Sequence, residues 1–317
     1  MTVRKVATIF IFFFFSWGTT MTSASEAPLM SPALEVHQLS SKFVDQTFEM
    51  YVQVPQGLAD GSERFPVLYL TDSYNGMAFS DTTSIMQLGG DIPRVITVGI
   101  GYENVHTANA LTIRTRDLTP VEAESSMPPM GTFFRDAPEI ELSKQSGGAA
   151  EFLSFIREEL QPFIDDNYPT IPQDRGYWGD SLGGLFGLYV LFNKPDTFNR
   201  YIIGSPSVWW GNGAILKDVD AYIESGKALP ARVFMAVGAN EAGGGFGMVQ
   251  NVFVLEEKLR TANIDGLELT THLFADETHT SVIAMNYVRG LQSVYDPPEK
   301  PYFEALLSRL QQAETEE

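Results

Sequence analysis

The sequence contains no cysteine. Disulfide bridges are therefore excluded, as are a thiolate nucleophile and any metal site held by sulfur. Histidine is scarce too: His37, His106, His272 and His279 are the four in 317 residues. They are scattered without ligand-like spacing, so no metal and no other cofactor is expected. Positive charge is also short. Lys and Arg number 21 against 40 Asp and Glu, for a formal net charge of −19. No basic stripe interrupts this balance, which argues against nucleic acid as a partner and reads as a solvated acidic surface. No repeat and no linker divides the chain.

Apolar runs are short everywhere, and the one near the start has a different meaning. Arg4 and Lys5 precede an apolar core from Val6 to Trp17, and Thr22-Ser23-Ala24 is a small-x-small cleavage site before Ser25. Residues 1–24 are read as a signal peptide, which makes the mature protein periplasmic or secreted. The run is too short for an ordinary span, so no stable membrane insertion is expected after cleavage. Residues 25–317 are read as a single domain, with 44% hydrophobic residues to build its core.

What is present is an alternation of apolar runs and helical patterns. Leu34 to Val54 reads as an N-terminal antiparallel hairpin at a sheet edge. Phe65–Thr71, Val95–Ile100, Tyr201–Gly204, Arg232–Val237 and Leu267–Phe274 read as strands, several of them continuous apolar runs suited to burial on both faces. Helical patterns fall at residues 80–90, 148–167, 214–225, 248–262 and 281–295, with a final short helix before the acidic tail. The fold class is α/β: a mostly parallel central sheet with helices on both faces. Residues 102–147 are the least regular part and read as a lid-like insertion.

The chemistry centres on Gly179-Asp180-Ser181-Leu182-Gly183. A short apolar segment precedes it and an apolar helical segment follows, the pattern of a nucleophile elbow. The turn is so sharp that side chains two residues either side of the serine would clash, hence Gly179 and Gly183. Such a turn lifts the serine Oγ above the sheet and aims the first N–H groups of the helix at a developing oxyanion.

A serine hydroxyl needs a base, and neutral imidazole suits that task near pH 7. His279 follows the last strand, at the sheet edge where chemistry is expected. His272 lies within that strand, His37 lies in the hairpin, and His106 precedes the serine in the chain. A carboxylate must hold the base in the right tautomer. Glu241 follows the next strand but one after Ser181, in a glycine-rich loop. Asp276 and Glu277 are rivals, awkwardly close to His279, and a Ser–His dyad is a further option. The order Ser181, Glu241, His279 is that of the α/β-hydrolase arrangement. The oxyanion hole would use the N–H of Leu182 and one from Ser73 or Tyr74, at about 3 kcal/mol per donor. Asp72 beside them is also a candidate brace for that loop.

Five stretches together carry a resemblance: Val67–Asp72, Arg114-Thr-Arg-Asp-Leu-Thr-Pro120, Gly179–Gly184, Ser205-Pro-Ser-Val-Trp-Trp210 and Glu277-Thr-His-Thr-Ser281. They are similar to the putative esterase family of α/β-hydrolases, over about residues 34–295. The family includes esterase D, feruloyl esterases and enterobactin-type siderophore esterases, and the Ser-Pro-Ser-Val-Trp-Trp segment most resembles the siderophore branch. The resemblance implies Ser181 as nucleophile, His279 as base, and hydrolysis of a small-molecule ester such as a siderophore trilactone. Such substrates are anionic, at odds with the acidic chain. Two readings stand for Trp209 and Trp210, a wall for aromatic groups or a cap on the core. Two stand for Arg114 and Arg116, a clamp for substrate anions or struts paired with nearby acids. A simpler short-acyl or aryl ester, an acyltransferase and a non-catalytic binding protein are the alternatives on the same fold.

Overall fold

β-branched and aromatic runs pair into one sheet, whose inner strands bury side chains on both faces. The computed structural model describes residues 34–55, 62–73, 79–102, 108–123, 146–243 and 245–299. Among these the strands are β1 (Leu34–Ser40), β2 (Thr47–Gln53), β3 (Phe65–Leu70), β4 (Ile96–Tyr102), β5 (Thr170–Asp180), β6 (Arg200–Gly204), β7 (Ala231–Gly238) and β8 (Leu267–Phe274). Their order across the sheet is β1-β2-β4-β3-β5-β6-β7-β8. The β1–β2 and β2–β4 pairs are antiparallel and every later pair is parallel. The expected hairpin is present, with β1 facing β2 from Leu34↔Gln53 to Ser40↔Thr47. This is the α/β-hydrolase fold.

Alternation accounts for the uninterrupted apolar runs. Val67 and Tyr69 of β3 enter one core layer while Leu68 and Leu70 enter the other. Tyr177 and Trp178 of β5 divide the same way, as do Val233, Met235 and Val237 against Phe234 and Ala236 of β7. On the first face lie α3 (Ala149–Phe155) and α5 (Leu182–Asn193), and on the second α8 (Val282–Val294).

The remaining helices are α1 (Ser80–Gly89), α2 (Ala108–Leu118), α4 (Gln161–Asn167), α6 (Ile215–Ser225) and α7 (Met248–Ala262). Two differ from expectation. The single helix expected over 148–167 is α3 and α4 joined by a π turn, Ile156–Leu160, in which the Gln161 N–H reaches the Ile156 carbonyl. Pro162 explains the wider turn, since its ring crowds the carbonyl four residues back and it has no N–H to donate. The second correction is α2, which occupies part of the segment read as irregular. Its buried residues include Thr112, Thr115 and Asp117, so it shows little apolar periodicity. Residues 124–145, residues 1–24 read as a signal peptide, and the expected final short helix with the acidic tail lie outside the described residues. Among those described, no helix is long and apolar enough to cross a membrane.

Candidate active site

The carboxyl ends of β5, β7 and β8 bring Ser181, Glu241 and His279 together. Ser181 follows β5 directly and adopts φ 61° and ψ −114°, the strained conformation of a sharp strand-to-helix turn. The flanking glycines are required by close approach. A Cβ on Gly179 would lie 2.6 Å from the Gly183 backbone, and one on Gly183 would lie 2.7 Å from Thr71 Oγ1. The Tyr177 hydroxyl locks the turn from below by donating to the Gly183 carbonyl at 2.7 Å.

His279 Nε2 lies 3.0 Å from Ser181 Oγ. Its Nδ1 lies 2.6 Å from Glu241 Oε2. Glu241 occupies a 3₁₀ turn, Ala239–Gly243, just after β7, and is buried. Its second oxygen accepts the Ser205 hydroxyl at 2.7 Å and the Gly238 N–H at 2.8 Å. The turns bearing Glu241 and His279 are tied together by Asn240, whose N–H donates to the Glu277 carbonyl at 3.0 Å and whose side chain donates to the Asp276 carbonyl at 2.9 Å. The rival acids have other positions: Asp276 supplies that backbone carbonyl, and the Glu277 carboxylate meets the Ser281 hydroxyl.

The electrostatics make His279 a stronger base than a free imidazole. Burial works to raise the Glu241 carboxyl, yet hydrogen bonds from His279, Ser205 and the Gly238 N–H outweigh it and hold it below the ordinary carboxylate range. Burial works to lower His279, but the Glu241 hydrogen bond and the charges of Asp180 and Glu241 bring it above its usual value. A further buried carboxyl, with no signal in the sequence, sits behind the nucleophile. Asp180 is pushed up to about 6 by burial, against the pull of His279 and a hydrogen bond from Asn286 Nδ2 at 3.1 Å.

The other expected site residues divide. Leu182 is the first residue of α5, whose leading N–H groups lack intrahelical partners by geometry. Ser73 is buried beside β4, where a Cβ on Gly99 would lie 3.1 Å from its own Cβ. Tyr74 and His106 lie outside the described residues. Arg114 is no open clamp: its Nε and Nη2 meet both Asp72 oxygens at 2.5 and 2.7 Å, and Nη2 also reaches the Asp180 carbonyl at 3.4 Å. Asp72, buried with φ 56°, is thus braced at the turn that carries Ser73. Arg116 pairs with its neighbour Asp117 at 2.7 Å, so both arginines act as struts.

Of the two readings for the tryptophans, wall or core cap, Trp210 takes the core position. It is 1% exposed and donates through Nε1 to the Val121 carbonyl at 2.9 Å. Trp209 is only partly buried, with its ring 4.6 Å from that of Phe246. Phe246, a lone aromatic after a glycine run, has no periodicity to mark it in the sequence. Ser205 and Ser207 carry no catalytic signature in the sequence, since neither lies in a Gly-x-Ser-x-Gly motif. His272 is exposed on the edge strand, and His37 Nε2 lies 2.6 Å from the Tyr168 hydroxyl, far along the chain from Ser181. Among the described residues, no group of three or more His, Asp or Glu side chains could hold a metal ion.

Known proteins share this architecture. The family described as Putative esterase matches residues 41–244. The ferri-bacillibactin esterase BesA of Bacillus subtilis (strain 168) is 31% identical over 274 residues, covering 84% of this chain and 91% of that protein. The BES protein from Bacillus cereus superposes with a TM-score of 0.72 at 27% identity, over 86% of this chain and 99% of that one. An IroE-like serine hydrolase from Shewanella oneidensis gives a TM-score of 0.70 at 26% identity, over 82% and 79%. The chain belongs to the Putative esterase family and is a serine ester hydrolase.

Proposed function

We propose that this chain, as a member of the Putative esterase family, is an exported enzyme that hydrolyses a siderophore lactone through an acyl-enzyme on Ser181. The observation that carries the reading is the continuous chain of contacts from Ser181 Oγ through His279 to Glu241. The substrate class rests on the ferri-bacillibactin esterase that resembles most of the chain. Export rests on the basic and apolar start of the sequence, and cleavage is expected before Ser25. Residues 25–317 then form one hydrolase domain.

Ser181 Oγ attacks the ester carbonyl as its proton passes to His279 Nε2. Glu241 holds the Nδ1 proton throughout and stabilises the imidazolium. The carbonyl π pair moves to oxygen, facing the N–H of Leu182 and that of Ser73 on the turn braced by Asp72 and Arg114. Collapse expels the alcohol, which takes the proton from Nε2. Water repeats the sequence on the acyl-enzyme and frees Ser181.

A general aryl or short-acyl esterase is the second reading, favoured by two observations. The two arginines expected to receive an anion are already paired with Asp72 and Asp117, and the chain carries a net charge of −19. Hydrolysis of a catecholate trilactone and of a small aryl acetate by the mature protein, with Ser181→Ala as blank, separates the two. Serine-dependent opening of the trilactone with poor acetate turnover supports the first; the reverse supports the second. Equal turnover by Ser181→Ala removes both.

A further inference from the structure

Ser205-Pro206-Ser207 follows β6 and delivers two hydroxyls to the site. Ser205 has a partner in Glu241. Ser207 is 1% exposed, and its hydroxyl lies 3.4 Å from Ser181 Oγ. Its backbone is fixed independently: its N–H donates to the Ser181 carbonyl at 3.0 Å and its carbonyl accepts the Trp210 N–H at 3.0 Å. The hydroxyl is therefore not needed to hold the turn.

Proton bookkeeping gives the direction of the contact. Nδ1–H of His279 donates to Glu241, so Nε2 of the neutral ring is an acceptor. The Ser181 proton points to Nε2, which leaves the lone pairs of Oγ to accept the Ser207 O–H.

We propose that Ser207 is a further catalytic residue, a buried hydroxyl that donates to Ser181 Oγ and stabilises the charge that oxygen gains in both half-reactions. As Oγ loses its proton to His279 and bonds to the carbonyl carbon, the Ser207 hydrogen bond shortens and strengthens. When the deacylating intermediate collapses, the Oγ–C bond breaks, the pair returns to Oγ and the proton comes back from Nε2. Ser207 again faces the charge, and its own proton is never transferred. This role absorbs the serine of the Ser-Pro-Ser-Val-Trp-Trp motif that the general mechanism leaves idle.

The proposal rests on the Ser181–His279 reading, and the test separates the two. In steady-state and burst kinetics with p-nitrophenyl butyrate, Ser207→Ala is expected to lower kcat/KM about tenfold, the worth of one hydrogen bond strengthened by charge. Acylation and deacylation both slow, and the acid limb of the pH profile stays where it is in the parent enzyme. Ser207→Cys, which keeps the shape but donates weakly, shows most of the same loss and serves if the alanine variant does not fold. A kcat/KM within twofold of the parent overturns the proposal. So does a loss confined to KM, or one accompanied by a shifted acid limb, because the effect would then pass through substrate fit or through Ser205 and Glu241. Turnover that survives Ser181→Ala would instead sink the underlying reading.

Discussion

His279 Nδ1 and Glu241 Oε2 lie 2.6 Å apart, although 38 residues separate them in the chain. The contact depends on two turns at neighbouring strand ends, stitched by Asn240. It fixes which nitrogen of the ring faces Ser181.

Replacing Glu241 by Gln tests that role through pH. His279 must be neutral to accept the serine proton, so activity falls as pH drops through its raised pKa. Glu241→Gln removes the principal raising influence while burial remains. The acid limb of kcat/KM is expected to move to lower pH, and the plateau to fall by at least about a hundredfold. A pH–rate profile of both proteins checks this.

Asp180 should leave a signature in stability. Its folded pKa is raised from 3.8 to about 6 by burial. The protonated acid suits the fold, so its stabilising effect is full below pH 3.8 and is lost as pH rises through about 6. Asp180→Asn, which cannot ionise, is expected to be the more stable protein above pH 7, by on the order of 2 kcal/mol, with little gain at pH 4. Urea unfolding at the two pH values measures the difference.

Arg114 is expected to act through the turn it braces. Arg114→Ala leaves the Asp72 carboxylate buried without its bidentate partner, at a cost of about 3 kcal/mol. It should lower kcat more than it raises KM, because the turn presents Ser73 rather than gripping substrate. Arg114→Lys should recover little, since an ammonium cannot match both oxygens. Melting temperatures and steady-state constants together decide; a pure KM effect would return Arg114 to the role of anion clamp.

Acidity itself makes a prediction about substrate encounter. At a net charge of −19 the field opposes an anionic ester. Raising ionic strength from about 0.01 M to 0.15 M shortens the Debye length from roughly 30 to 8 Å. kcat/KM should rise for a catecholate ester and stay level for a neutral aryl ester.

Much of this geometry is legible in the sequence because it follows from chain order. Buried strands announce themselves as unbroken apolar runs, and the polar residues just after β5, β7 and β8 must meet at one sheet edge. Glycine two residues either side of Ser181 marks a turn that tolerates nothing larger. Other parts follow different rules. Helix α2 buries Thr112, Thr115 and Asp117, so hydrophobic periodicity passes over it. Trp210 faces inward because its indole N–H finds the Val121 carbonyl, a tertiary contact that no local pattern encodes. Asp180 occupies a variable position of the glycine–serine motif, and only the fold reveals that Asn286 of α8 reaches it. Ser205 and Ser207 acquire meaning only once β6 lies beside β5 in the sheet.

The mechanism requires a covalent acyl group on Ser181. Turnover of p-nitrophenyl butyrate quenched in acid within the burst phase, followed by peptide mass spectrometry, tests it most directly. A butyryl adduct is expected on the peptide containing Ser181, absent from Ser181→Ala. No adduct during active turnover, or an adduct borne by another residue such as Ser207, would contradict it.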